Sequence, residues 1–266
     1  MPPRTVPFTV RFFLLVFFAA CLALPFPSRA APPEPLARAL QHIVDDYDRW
    51  AYTQTIVQRD TKGSVVSADV VRFDPSQPYA GQYRPLSIDG KPPTAGQLRK
   101  YRRKGEKRGQ KIDAAESEGA EPVRQTLGEL MDLDHATIVA EDADGIAFDV
   151  PLKKDGNTRL PPDKFRVTAR VSKATGMFED IDVVLRAPMR TDLVVKIKSG
   201  VGRLEFARVS PAFAPTLIRV HGNGAGSILF VSVGRTYDLV RSDFERVKPY
   251  NERFEVELGP LKSIDF

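Results

Sequence analysis

Cysteine is almost missing from this chain of 266 residues: Cys21 is the only one. A single thiol excludes an internal disulfide framework and a multi-cysteine metal cluster. Histidine is nearly as scarce, with His42, His135 and His221 alone. No acidic residue precedes Glu34. The longest apolar run, Phe12–Leu24, is 13 residues, short of the roughly 20 that a helix needs to cross a bilayer core. The motifs G-x-S-x-G, H-E-x-x-H and S-x-x-K do not occur, so no catalytic residue is assigned and the reading is non-enzymatic. A Ser–His–Asp arrangement has free spacing across folds, but nothing points to one.

What is present at the start is an address. Arg4 and Arg11 form a positive n-region, Phe12–Leu24 an apolar h-region, Pro25 and Pro27 its end, and Ser28-Arg29-Ala30 a small-residue cleavage site. This predicts export to the periplasm with a cut after Ala30. A rival route, lipid anchoring at Cys21 after Ala19-Ala20, is disfavoured because Phe18 stands where an aliphatic residue is preferred. Cleavage after Ala30 leaves a mature chain without cysteine. It also removes Arg4, Arg11 and Arg29, taking the net charge from +5 to +2.

That small surplus hides one strong patch. LRKYRRKGEKRGQK, Leu98–Lys111, carries eight Lys or Arg against Glu106 alone, a local charge of +7. The rest of the mature chain therefore sums to about −5. Tyr101 is the one aromatic in the run, so the interleaved stacking residues of a single-strand binder are missing and nucleic acid is not a predicted partner. Three readings stand: a solvated loop over Lys104–Lys111, with Gly105 and Gly109 stopping a short capped helix; contact with an anionic membrane surface; or docking on an acidic envelope protein. The contact residues in the last two are Arg99, Lys100, Arg102, Arg103, Lys104, Lys107 and Arg108.

Removing 30 residues leaves 236, enough for one large domain. The spacing of Leu36, Leu40, Ile43, Val44 and Tyr47 predicts an amphipathic helix over Pro35–Arg49. After Trp50 the apolar period changes to two. AYTQTIVQR and SVVSADVVRFD flank DTKG; KFRVTARVS and MFEDIDVVLR flank KATG; Ile138–Ala140 and Ile146–Val150 flank EDADG. DLVVKIK and RLEFARV flank SGVG, LIRVHG and SILFVSV flank GNGAG, and RFEVELG comes last. All read as antiparallel strands joined by short Gly turns. Thr94–Gln97 fits a capping box, and QTLGELMDL, Gln125–Leu133, a short helix. The fold class is α+β, mainly antiparallel β. The sheet is expected to be strongly curved, an unclosed barrel-like sheet with an N-terminal helix and a short helical lid, as one domain over 31–266 with a charged insertion at about 99–121.

The order helix, YTQTIVQR, loop, SVVSADVVRFDPSQP, then LSIDGKPP resembles the LolA-like periplasmic lipoprotein carrier superfamily, which includes lipoprotein localisation factors and a related envelope-stress regulator. The likeness covers Leu36–Pro93. It implies an unclosed antiparallel barrel with helices across its mouth, cradling lipid or lipoprotein acyl chains. The expected function is therefore a periplasmic carrier without a cofactor, with an envelope stress-sensing or protein-interaction module as the alternative. The expected groove residues are Val71, Phe73, Val183, Ile197, Phe206 and Phe230. Asp132, Asp134 and His135 read as a helix end rather than a metal site, His42 as a boundary residue and His221 as part of a turn, so no metal ligand is assigned.

Overall fold

The structure, a computed structural model, describes residues 31–46, 48–117, 130–154, 160–190, 195–228 and 231–254. Helix α1 is Glu34–Asp45, and strands β1 (Trp50–Asp60), β2 (Val65–Phe73) and β3 (Tyr83–Ile88) follow. Helix α2 is Ala95–Ser117. Then come β4 (Thr137–Glu141), β5 (Gly145–Val150), β6 (Phe165–Ser172), β7 (Phe178–Leu185), β8 (Met189–Arg190), β9 (Val195–Ala207), β10 (Thr216–Ile228) and β11 (Val231–Arg246).

Among the described residues these eleven strands form one sheet in the order β3-β2-β1-β11-β10-β9-β7-β6-β5-β4, with β8 added to β9. Each pairing is antiparallel, and β3 and β4 are free edges, so the sheet is not closed. The expected α+β architecture is therefore observed. It is not a simple meander: β11 pairs with β1, so the last three strands join two groups that were formed earlier in the chain.

The hairpins around DTKG, KATG and EDADG are as expected. SGVG and GNGAG are not turns. β9 runs unbroken through Ser199–Gly202, and β10 through Gly222–Gly226. Their glycines face each other across the ladder, Gly222 opposite Gly202 and Gly224 opposite Gly200. Close backbone approach explains this composition at Gly226, where a Cβ would stand 2.4 Å from the Lys196 carbonyl oxygen. Register shifts at Leu217/Arg219 and Ala225/Gly226 in the same pair bend it further. Arg253 and Phe254, which open RFEVELG, lie in a 3-10 turn, Asn251–Phe254, and not in a strand; the rest of RFEVELG and most of QTLGELMDL lie outside the described residues.

The N-terminal helix stops at Asp45, four residues earlier than its apolar spacing suggests. Asp48 takes a left-handed φ of 62° and turns the chain into β1. Asp46 accepts from the Trp50 indole N–H at 2.5 Å and also pairs with Arg246. Leu36 and Ala39 press α1 into a core built from Phe148 and Val150 of β5, Val167, Ala169 and Val171 of β6, and Phe178 and Ile181 of β7.

The basic run is the largest correction. Lys104–Lys111 is not a loop; α2 continues through Gly105 and Gly109. The capping box that starts it is real, with the Thr94 N–H donating to Gln97 Oε1 at 2.7 Å and the Gln97 N–H to Thr94 Oγ1 at 3.3 Å. Both glycines are buried against the 3-10 turn Tyr79–Gly81. A Cβ on Gly105 would lie 1.9 Å from the Tyr79 carbonyl oxygen, and one on Gly109 2.2 Å from the Tyr79 ring. These glycines permit contact; they do not end the helix.

Candidate functional site

Strand parity places Tyr52 of β1, Phe73 of β2, Arg241 of β11, Leu204 and Phe206 of β9, and Ile181 of β7 on the face that α1 covers. Together with Leu40 and Ile43 of α1 and Leu217 of β10 they line a partly open cavity of about 230 Å³. Tyr83 of β3 reaches the same cavity. From β3 to β7 there are six strand steps, which on a flat sheet at about 4.8 Å each would span roughly 29 Å. Side chains of both strands can border one small hollow only because the sheet curls. The expected curvature is thereby observed.

One wall is aromatic. Trp50 meets Phe213 edge-on at 5.3 Å and Phe244 at 6.0 Å, while Tyr52 lies 5.3 Å from Phe73, which in turn lies 4.9 Å from Tyr83. Guanidinium groups cap this wall. Arg246 stands 5.0 Å from the Trp50 ring, and Arg241 4.2 Å from that of Tyr52. The opposite wall is aliphatic, built from Leu40, Ile43, Met131, Ile181 and Leu204. Most of the lining is apolar or aromatic, and His42, Asp46, Asp48, Thr216 and Arg241 are its polar members.

The acidic groups at this cavity are already engaged. Asp46 pairs with Arg246, and Asp48 pairs with Arg108 of α2. Arg108 also donates to Gln82 Oε1 at 2.6 Å and stacks 5.6 Å from Phe73. Its side chain and that of Asp48 are 16% and 12% exposed, so this is a half-buried strut and not a surface charge.

Of the expected groove residues, Phe73 and Phe206 line the cavity. Val71 is fully buried, Val183 packs at the edge of the filled core, and Ile197 sits on the far half of β9 opposite Gly226. Phe230 lies outside the described residues. Of the expected contact residues, Arg99, Lys100, Arg102, Arg103, Lys104 and Lys107 are exposed on α2, whereas Arg108 is turned inward. Lys104 sets its ammonium 4.1 Å from the Tyr83 ring, and burial there lowers its pKa. Burial, helped by the Asp69 carboxylate, raises that of Tyr101.

Trp50, Tyr52, Tyr83, Leu204, Leu217 and Arg241 were not anticipated. The alternation of Leu204 with Phe206 was the signal available for one of them. His221 belongs to β10, not to a turn, and its Nδ1 lies 2.8 Å from Asp238 Oδ1 on β11. His135 Nδ1 lies 2.8 Å from Asp132 Oδ2. Among the described residues no group of three or more His, Cys, Asp or Glu could hold a metal ion, and no helix is long and apolar enough to cross a membrane. No family model, curated protein or solved structure matches this chain.

Proposed function

We propose that this is an exported, non-enzymatic carrier that holds an apolar guest, a lipid or acyl chain, between α1 and the curled sheet. The observation that carries the proposal is the cavity of about 230 Å³ walled mostly by aromatic and aliphatic side chains from α1 and six strands. An apolar cavity of about 150 Å³ already takes a benzene-sized molecule. This one accommodates one chain segment rather than several chains at once. The resemblance over Leu36–Pro93 points the same way. Native mass spectrometry of protein purified from exporting cells tests the reading. A bound lipid-sized mass is expected; a clean unliganded mass, or one tightly held protein partner without lipid, favours the interaction-module alternative.

An anionic membrane surface is the partner that suits the outside of α2. Lys100, Arg103, Lys107 and Lys111 are exposed and spaced three or four residues apart, so they share a face, with exposed Arg99 beside it. Tyr101, Gly105, Arg108, Ile112 and Ala115 are the inward face. Each basic residue near a charged bilayer contributes about 1 kcal/mol. Changing Lys100, Arg103, Lys107 and Lys111 to Gln should therefore lower binding to phosphatidylglycerol vesicles about a thousandfold. Unchanged binding removes the membrane as partner.

A further inference from the structure

The cavity is lined by a cation, Arg241, whose contacts are the Tyr52 ring and the Leu217 carbonyl and not a carboxylate among the described residues. Arg241 is held on β11, between β1 and β10, and its guanidinium carbon sits 4.2 Å from the centre of the Tyr52 ring. One terminal nitrogen reaches the Leu217 carbonyl oxygen at 3.5 Å, the outer limit of a hydrogen bond. Its Nε–H is buried and has no acceptor among the described residues. No described carboxylate lies within ion-pair distance of it. The other charged groups at the cavity differ: Asp46 and Asp48 each have an arginine.

A buried donor left unmade is costly, and a buried charge without a counter-ion more so. Packing does not require an arginine at this position. The apolar wall would be completed as well by Leu or Met, which carry no donor to satisfy. Arginine instead brings a planar fork matched to the two oxygens of a carboxylate or phosphate. In a partly open, mostly apolar hollow that fork is stronger than on a fully exposed surface. We infer that the guest is an amphipath with a single anionic head, carboxylate or phosphate, whose oxygens take the terminal nitrogens of Arg241 while its chain lies along Leu204, Phe206 and Ile181.

This inference rests on the apolar-guest reading, and the test separates the two. The full mature protein is loaded with the neutral dye N-phenyl-1-naphthylamine, whose fluorescence rises in apolar surroundings. Decanoate, decyl phosphate, decanol and decyltrimethylammonium then compete with it. Decanoate or decyl phosphate should displace the dye at a concentration at least about tenfold below that of decanol, with the cationic compound weakest. Which anion wins identifies the head. In Arg241→Gln the ratio of the decanol to the decanoate or decyl phosphate displacing concentration should fall to about one, whatever the variant's own affinity for the dye.

Equal displacement by anion and alcohol in the wild-type protein overturns the anionic-head inference and leaves the apolar guest standing. An undiminished anion preference in Arg241→Gln overturns the role of Arg241. Failure of the dye and all four compounds to bind overturns both readings. The wild-type comparison needs no variant, so a misfolded Arg241→Gln protein does not remove the test.

Discussion

Gly105→Ala destabilises this protein by about 2–3 kcal/mol, the cost of forcing extra volume into a packed contact. Helix propensity alone predicts the opposite sign, a gain of nearly 1 kcal/mol for Ala over Gly at an interior helical position. The conflict is decided by distance. A methyl group on Gly105 would overlap the Tyr79 carbonyl oxygen at 1.9 Å, and backbone cannot swing aside as a side-chain tip can. Relief requires α2 to lift from the Tyr79–Gly81 turn. Lifting α2 also pulls Arg108 from Asp48 and Gln82, and breaking a buried ion pair by removing one partner is itself strongly destabilising. Urea unfolding followed by circular dichroism measures the change, with Lys111→Ala on the exposed face as the control. A stabilised Gly105→Ala protein would mean that α2 does not dock as described.

The same glycines show why the basic run was misread. Binary patterning searches for apolar residues at helical spacing, and α2 has few. Its inward face is Tyr101, Gly105, Arg108, Ile112 and Ala115. This stripe has the right period but is written with two residues ordinarily taken as breaker and surface charge. The arginine is inward because Asp48, made available by its left-handed turn after α1, waits for it from a distance of sixty residues in sequence. A partner so remote leaves no local trace.

Where pattern and structure agreed, the hydrophobic period and the turn chemistry were both local. Val167, Ala169 and Val171 alternate on β6 and lie in the core, and KATG next to them turns with Gly176 at φ 68°. SGVG and GNGAG have the same composition without the same task. Gly222 and Gly224 oppose Gly202 and Gly200 across β9 and β10, and the backbones crowd next to them at Gly226. Only the register, a tertiary quantity, separates a glycine that turns the chain from one that lets it curve. β11 was missed beyond its first residues for a related reason: Tyr237, Leu239 and Arg241 alternate inward, but an arginine at an inward position disguises the period.

The cavity was legible in kind and only partly in detail. Phe73 and Phe206 are large apolar residues on alternating strands, and the curled sheet brings them to one cavity. Val71 has the same parity as Phe73 yet is sealed inside, because position along the strand decides whether a side chain meets the hollow or the packed interior. Trp50 and Tyr52 were read as the start of a strand and as nothing more. Their role depends on Phe213 and Phe244, which lie far along the chain.

The second large effect concerns that hollow. Leu204→Trp, with a ring pointing from β9 toward α1, should occupy the space between Leu40, Ile43 and Ile181. Excluding even four methylene-sized groups of a guest removes roughly 3 kcal/mol of burial, about a hundredfold in affinity. The larger side chain also strains the surrounding core by about 1–3 kcal/mol. Thr216→Trp, at a lining position that does not pack on the buried core as Leu204 does, therefore provides a block with less disturbance.

The most direct measurement is titration of the mature protein with N-phenyl-1-naphthylamine, alongside both Trp variants after their folds are checked by circular dichroism. The account predicts saturable fluorescence enhancement at one dye per protein, lost in the folded variants. No enhancement in the wild-type protein, or equal enhancement in a folded Trp variant, would contradict a guest site between α1 and the curled sheet.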